Sequence, residues 1–445
     1  MKNSALATGA VSLLLFSVLL PKVRIGSTEV GLDDFAAVLL LMVLAKLAYR
    51  TPKPVVRGVS PLVLWLILVV YGMVFSLLNN WFYMGELLLP THMWQYVKRA
   101  VYFGLPFYFG YRQTLPARRL YDLLLWFLLI ACAIGVLQSI PTLNIGDSLV
   151  ALYARSDQQF YLTAERLFSN KQVIGIAGFA TAWGGFAMFA LAFAFAAIAI
   201  GFRGGAKSIW GLHKREILLV FLAGFNLMMA GSRVALAAAL VVVVSGASLL
   251  FLQGGKPRQK RRAIALVLGL GVLIGVATTF FPERASFLTD RFDALVHADR
   301  IGAARGAQVE AALGLLRDVS AWLLGVGHTA QKRFAVSWGT EIEMIYLLVS
   351  YGVLGLVLHY LLLWISAYHG LGVMRRDDPY AAVLGYCAVL AVIGYVVFSL
   401  GYFFFRELKV GAFPWILFGW VAGYNYRCLS IWERSSGALE YWRRR

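Results

Sequence analysis

Charge is scarce in this sequence. Of its 445 residues only 14% are Asp, Glu, Lys or Arg, where globular domains carry about 25%. With 60% hydrophobic residues, a water-soluble fold is set aside. Aromatics at 14% set aside a disordered chain as well. Cysteine is nearly missing. Cys132, Cys387 and Cys428 sit in or beside apolar runs, with no CxxC or Cys/His spacing, so neither a disulfide framework nor a zinc site is indicated. There is no Walker A, GxSxG or HExxH sequence and no DxD-like metal pair on the expected outer face. Asp377-Asp378 falls on the opposite side and reads as loop. ATP-driven transport and soluble-type metal catalysis therefore lack a sequence basis, and no metal or cofactor is expected. Internal repeats, low-complexity tracts and a soluble domain are absent too.

Long apolar runs are what the sequence has instead. A helix needs about 20 apolar residues to cross a bilayer. By that measure the chain reads as an all-α, polytopic integral membrane protein, one domain over 1–445, with about twelve spans. The spans are expected near 5–21, 35–49, 61–78, 93–110, 120–140, 172–202, 217–231, 233–253, 262–281, 342–365, 381–403 and 412–428. Met1-Lys2 and the apolar stretch to Pro21 have the form of a signal peptide. No small-x-small cleavage site follows, so the stretch reads as the first span. Residues 217–253 hold one charge, Arg233. A single helix there would be about 55 Å long, nearly twice the hydrocarbon thickness. Two helices joined by a tight turn at Gly231-Ser232-Arg233 fit better.

The net charge of +19 then has a topological cause. With both termini in the cytoplasm, the inner segments hold 23 basic residues against 6 acidic, and the outer segments 17 against 16. That is the asymmetry of the positive-inside rule. It removes the need for a nucleic-acid partner and leaves membrane lipid or anionic lipid-like molecules as partners. Two outer segments are long, 141–171 and 282–340. In the second, Arg305, Val309, Ala312, Leu313 and Leu316 recur at helical spacing, giving an amphipathic helix suited to the membrane interface. Arg305 is expected to open that helix, and Leu324-Gly325-Val326-Gly327-His328 supplies a glycine turn after it. Chemistry is therefore expected on the outer face.

Arg233 is the sharpest local feature, because a charge at membrane depth is costly and is a functional candidate by default. The alternative is an arginine snorkelling from a helix end. Arg166 and Lys171, just before the sixth span, pair cationic groups with a helix N-terminus, which suits an anion. An interfacial anchor paired with Glu165 fits equally. Arg305 is a charge on a helix face. Glu341 and Glu343 precede the tenth span two residues apart, so one faces the bundle and the other water. A carboxylate beside a membrane cavity can act as general base on a hydroxyl, and acids in a first helical turn also favour the dipole. His328 reads as a loop residue, Arg406-Glu407 as a local ion pair, and Lys98-Arg99 as either anion ligands or interfacial anchors.

Taken in order, these features resemble the O-antigen ligase/polymerase superfamily. The residues that carry the likeness are the isolated Gly231-Ser232-Arg233, the late outer loop with Leu323-Leu324-Gly325-Val326-Gly327, and the span that opens with Glu341 and runs through Tyr346-Leu347-Leu348-Val349-Ser350-Tyr351-Gly352-Val353-Leu354-Gly355. The likeness covers roughly 160–360. It implies a GT-C-like membrane glycosyltransferase on the periplasmic side of the bacterial inner membrane, inverting and metal-independent. Its donor and acceptor would be glycans on undecaprenyl diphosphate, and a chain-length regulator would be a further candidate partner. By the resemblance Arg166, Arg233 and Arg305 hold the diphosphate, with Arg300 competing for the place of Arg305. Ligases of this family, which move the finished glycan to lipid A-core, commonly have His-Asn where this chain has Glu341-Ile342. The acidic residue looks more like a polymerase, which is the expectation here, with a ligase as the alternative. A transporter or flippase of lipid-linked glycans is a rival of another class, and it requires essential charges near the bilayer midplane.

Three guanidiniums converging beneath the outer surface would stabilise a departing diphosphate through bidentate contacts without a metal. Glu341, in preference to Glu343, would take the proton of the acceptor hydroxyl.

Overall fold

The computed structural model describes residues 2–25, 28–50, 60–85, 87, 90–139, 145–153, 173–201, 214–252, 257–280, 299–327, 342–402 and 408–443. They are helical apart from short connections and one small hairpin. In chain order the first elements are α1 (Lys2–Leu19), β1 (Val23–Ile25), β2 (Thr28–Val30), α2 (Leu32–Arg50), α3 (Pro61–Met84), α4 (Pro90–Arg112), α5 (Ala117–Gln138) and α6 (Ile145–Tyr153). They continue with α7 (Ala180–Ile200), α8 (Lys214–Ala230), α9 (Arg233–Leu252), α10 (Pro257–Phe280), α11 (Asp299–Leu313), α12 (Val319–Leu324), α13 (Glu343–Met374), α14 (Pro379–Ser399) and α15 (Leu408–Arg443). The hairpin pairs Val23 with Val30 in antiparallel register, an element that the hydropathy pattern does not reveal.

Each apolar run coincides with a helix, and α3, α5, α7, α9, α13 and α14 are long and apolar enough to cross a membrane. The ends follow local chemistry. Ser60 caps α3 by accepting from the Leu62 amide, Pro61 occupies its first turn, and Gly85 closes it in the left-handed conformation. Asp378 caps α14 through the amides of Tyr380 and Ala381, and again proline follows the cap. The run at 172–202 is not one helix. Residues 173–179 form turns, with Gly175 and Gly178 at positive φ, and α7 begins only at Ala180.

The middle of the bundle is α7 and α14, both buried along nearly their whole length. In α7 small residues alternate with large ones, as in Phe186-Ala187-Met188-Phe189-Ala190, so neighbouring helices reach its backbone on several sides. α14 packs against α7, α9 and α13. α4 and α15 lie backbone to backbone, because a Cβ on Gly419 or Gly423 would collide with the carbonyls of Phe103 and Phe107.

α11 differs from the sequence expectation. It begins at Asp299, so Arg305 lies in its middle and does not open it. The apolar stripe does not lie free at the interface. Ala312 and Leu316 are buried with Met84 of α3, Ala321, Val326 and Val349 of α13.

Candidate functional site

α8 and α9 are two helices joined by a tight turn. Gly231 has φ 61°, the Ser232 hydroxyl accepts from the Ala235 amide at 3.3 Å, and Arg233 is the first residue of α9. Its side chain is partly exposed. A cation there opposes the helix dipole, so guanidinium and helix N-terminus together make a strongly positive spot that favours an anion. The segment 173–179 is fastened beside this turn. The Val173 amide donates to the Met229 carbonyl at 3.0 Å. Gln138 grips Gly175 from both sides, donating to its carbonyl at 3.0 Å and accepting from its amide at 2.8 Å. Below them the Trp183 indole donates to Asn226 at 2.9 Å, and Asn226 donates to the Cys132 carbonyl at 2.9 Å. α5, α7 and α8 are thereby tied together under the turn.

Glu343 is the first residue of α13 and is fully buried, 0% exposed. The Tyr395 hydroxyl of α14 donates to its Oε1 at 2.7 Å. Of the two carboxylates expected near this place, Glu343 is the one described, and it lies inside the bundle. At the other end of the same stretch of α14, Gly401 lies against the Val234 side chain, the residue after Arg233. Tyr402 stacks on Phe179 at 5.8 Å. The end of α14 thus touches the Arg233 turn, the 173–179 segment and, about one and a half turns deeper, Glu343.

The two glycine-bearing motifs fold onto each other. α13 is interrupted at Gly352, whose φ of 67° and ψ of −175° are not helical. The Val326 and Gly327 amides donate to the carbonyls of Val349 and Ser350, at 2.8 and 3.2 Å. A Cβ on Gly352 would collide with the Leu323 carbonyl, and one on Gly325 with the Tyr351 amide. α3 clamps the junction. Asn79 donates to the carbonyls of Leu324 and Gly325 at 2.9 and 3.0 Å, and Tyr71 donates to the Tyr351 carbonyl at 2.7 Å. Tyr96 and Tyr351 share a hydroxyl–hydroxyl hydrogen bond just beneath.

Lys98 and Arg99 are not interfacial anchors, because both are only 2% exposed. Lys98 forms ion pairs with Asp33 and, at 2.7 Å, with Asp34 of α2. The Arg99 guanidinium lies 5.3 Å from the Tyr96 ring and within electrostatic reach of Tyr351, His359 and Tyr395. Arg99 therefore belongs to the buried cluster that contains Glu343. Sequence reading missed Tyr71, Asn79, Tyr96 and Tyr395 altogether. Their only signal was polarity inside apolar runs.

Arg166, Lys171, Glu341, His328, Arg406 and Glu407 lie outside the described residues. Arg300 and Arg305 lie on the first part of α11, of which only the backbone is described. Of the three arginines expected to converge, Arg233 alone has a described side chain. Among the described residues no group of three or more His, Cys, Asp and Glu could hold a metal ion. The sequence matches no protein-family model and no curated protein.

Proposed function

We propose that the protein is a membrane glycosyltransferase that polymerises undecaprenyl-diphosphate-linked oligosaccharide repeat units on the periplasmic face of the bacterial inner membrane. In this reading the chain crosses the membrane twelve times in a GT-C-like arrangement, with both termini cytoplasmic. The observation that carries the proposal is the end of α14, which touches Val234, next to Arg233, through Gly401 and holds Glu343 through Tyr395. A cationic helix N-terminus and a carboxylate-bearing helix start thus belong to one end of one buried helix. That is the juxtaposition a transfer from a diphosphate carrier needs.

The acceptor hydroxyl oxygen attacks the anomeric carbon of the donor from the face opposite the diphosphate. A new glycosidic bond forms, the bond from the anomeric carbon to the phosphate oxygen breaks, and configuration inverts. The electron pair leaves on the diphosphate, where Arg233, with Arg166, Lys171 and Arg305 or Arg300 from the outer loops, takes up the charge. The hydroxyl proton passes to Glu341. Glu343, two residues further and buried, fixes the start of α13 through Tyr395. Bidentate guanidinium contacts supply charge stabilisation without a metal, in line with the family resemblance.

The test is reaction of the purified protein in a bilayer disc with a defined undecaprenyl-diphosphate-linked repeat unit. A ladder of products that disappears in Arg233→Ala and Glu341→Gln, with both variants folded, supports the proposal. Full-length polymer from Arg233→Ala overturns the assignment of Arg233. Transfer of a preformed polymer onto lipid A-core, with no ladder, replaces the polymerase by a ligase.

A further inference from the structure

Residues 318–327 pack along the end of α3 and against the interruption of α13. Pro61 to Tyr83 of α3 spans about 33 Å by helical rise, the thickness of the hydrocarbon, which puts Tyr83 at its outer boundary in the topology proposed above. The Tyr83 hydroxyl donates to the Asp318 carboxylate at 3.0 Å, which fixes the start of the segment there. From Asp318 the chain descends. The carbonyls of Leu324 and Gly325 meet Asn79, one helical turn deeper on α3. Gly327 reaches the backbone of Asn80, and the backbone of 323–325 touches Tyr351 and Gly352, about 12 Å below the start of α13.

Irregular backbone at that depth is tolerated only when its polar groups are satisfied by protein, and five of them here have named protein partners. The Gly325, Val326 and Gly327 amides donate to the carbonyls of Ala321, Val349 and Ser350. The Leu324 and Gly325 carbonyls accept from Asn79. The outer side of the segment is different. Val319, Trp322 and Leu323 recur at helical spacing and are 75, 41 and 45% exposed, while Ala321 is buried against α13. An outward apolar face on so short a helix has no use in water. The two helices it packs against expose apolar side chains of their own, Leu78, Trp81 and Phe82 on α3 and Val353, Leu354 and Val357 on α13.

We propose that residues 318–327 form a re-entrant element of the outer leaflet, with Val319, Trp322 and Leu323 covered by phospholipid acyl chains. The segment is wedged between bilayer and protein. Its lipid side sets its depth, and its protein side props the interruption of α13 at Gly352. The inference takes its side of the membrane from the proposed topology but does not depend on the glycosyltransfer.

The experiment uses the full chain in phospholipid nanodiscs, with a nitroxide on Trp322→Cys or Leu323→Cys. Phe82→Cys serves as the lipid reference and Arg317→Cys as the water reference. Labels at 322 and 323 that are reached by oxygen but shielded from a water-soluble nickel chelate, as at 82, support the proposal. Nickel access at 322 and 323 matching that at 317 overturns it. Shielding from both reagents with spin–spin broadening also overturns it, because a second copy then covers the face. Should the cysteine variants misfold, Trp322→Phe in nanodiscs of brominated-acyl lipid gives an independent reading. The native protein is expected to lose more fluorescence to the bromines than Trp322→Phe, and equal quenching overturns the proposal.

Discussion

Tyr71 donates its phenolic hydrogen to the carbonyl of Tyr351 at 2.7 Å, across 280 residues of sequence. That bond falls where the helix containing Tyr351 breaks, so a side chain of α3 replaces the backbone donor that an unbroken helix would have supplied. Asn79, two turns further along α3, does the same for the chain that docks into the break. Tyr71→Phe is expected to lower stability by about 1 kcal/mol, the usual net worth of a buried hydrogen bond. Asn79→Leu removes donors from two buried carbonyls and is expected to cost roughly twice as much. Thermal unfolding in detergent ranks the two, and an order reversed from this one would show that Asn79 does not hold the segment.

Gly352→Ala places a Cβ on the Leu323 carbonyl in a backbone conformation that L-residues seldom adopt. Strained conformations of this kind cost about 1–3 kcal/mol before any clash is counted. The expected outcome is undocking of residues 318–327, read as faster proteolysis of the 282–340 loop. Gly269→Ala, where a Cβ meets nothing within 4 Å, serves as the silent control.

Lys98→Met strands the Asp33 carboxylate, which is 1% exposed, without its cation. Breaking a buried pair from one side costs about 3–5 kcal/mol. Adding Asp33→Asn is expected to recover most of that loss in the melting temperature. An additive double variant would show that the pair contributes no coupling.

Arg233→Lys keeps the charge but loses the two-pronged geometry with which a guanidinium meets a phosphate. Polymer yield is expected to fall by at least tenfold in Arg233→Lys, and below detection in Arg233→Ala, with membrane insertion unchanged. Full yield from Arg233→Lys would mean that a point charge suffices.

The Asp318 carboxyl lies below its ordinary range because the Ser320 hydroxyl, the Ala321 amide and the Tyr83 hydroxyl all donate to it. A lowered folded-state value gives stability that is present above the unfolded value, near 3.9, and is lost as the pH falls through the folded one. The difference in melting temperature between the native chain and Asp318→Ala is therefore expected to hold steady above about pH 5 and to close below about pH 4. A gap independent of pH would exclude the carboxylate as its source.

The helices were legible because a run such as 61–84 has no other use for its apolar residues. The turn at Gly231–Arg233 was legible because one charge inside a run too long for a single span demands a break. The break at Gly175 and Gly178 was not, since Val173-Ile174-Gly175-Ile176-Ala177-Gly178 is as apolar as a helix would be and hydropathy does not register φ. Lys98 read as either an anion ligand or an anchor because its partner Asp33 lies 65 residues upstream, beyond the reach of local pattern. The clamp by Tyr71 and Asn79 was invisible for the same reason. Glu343 was legible as a candidate at the start of a span, but its burial against Tyr395 was not, because Tyr395 belongs to another helix 52 residues away.

The interruption at Gly352 has a mechanical meaning. An unbroken helix fixes the direction of its first turns by its own ladder of hydrogen bonds, whereas the direction of Glu343–Tyr351 is set at the break by Tyr71 and by the chain of residues 323–327 lodged against it.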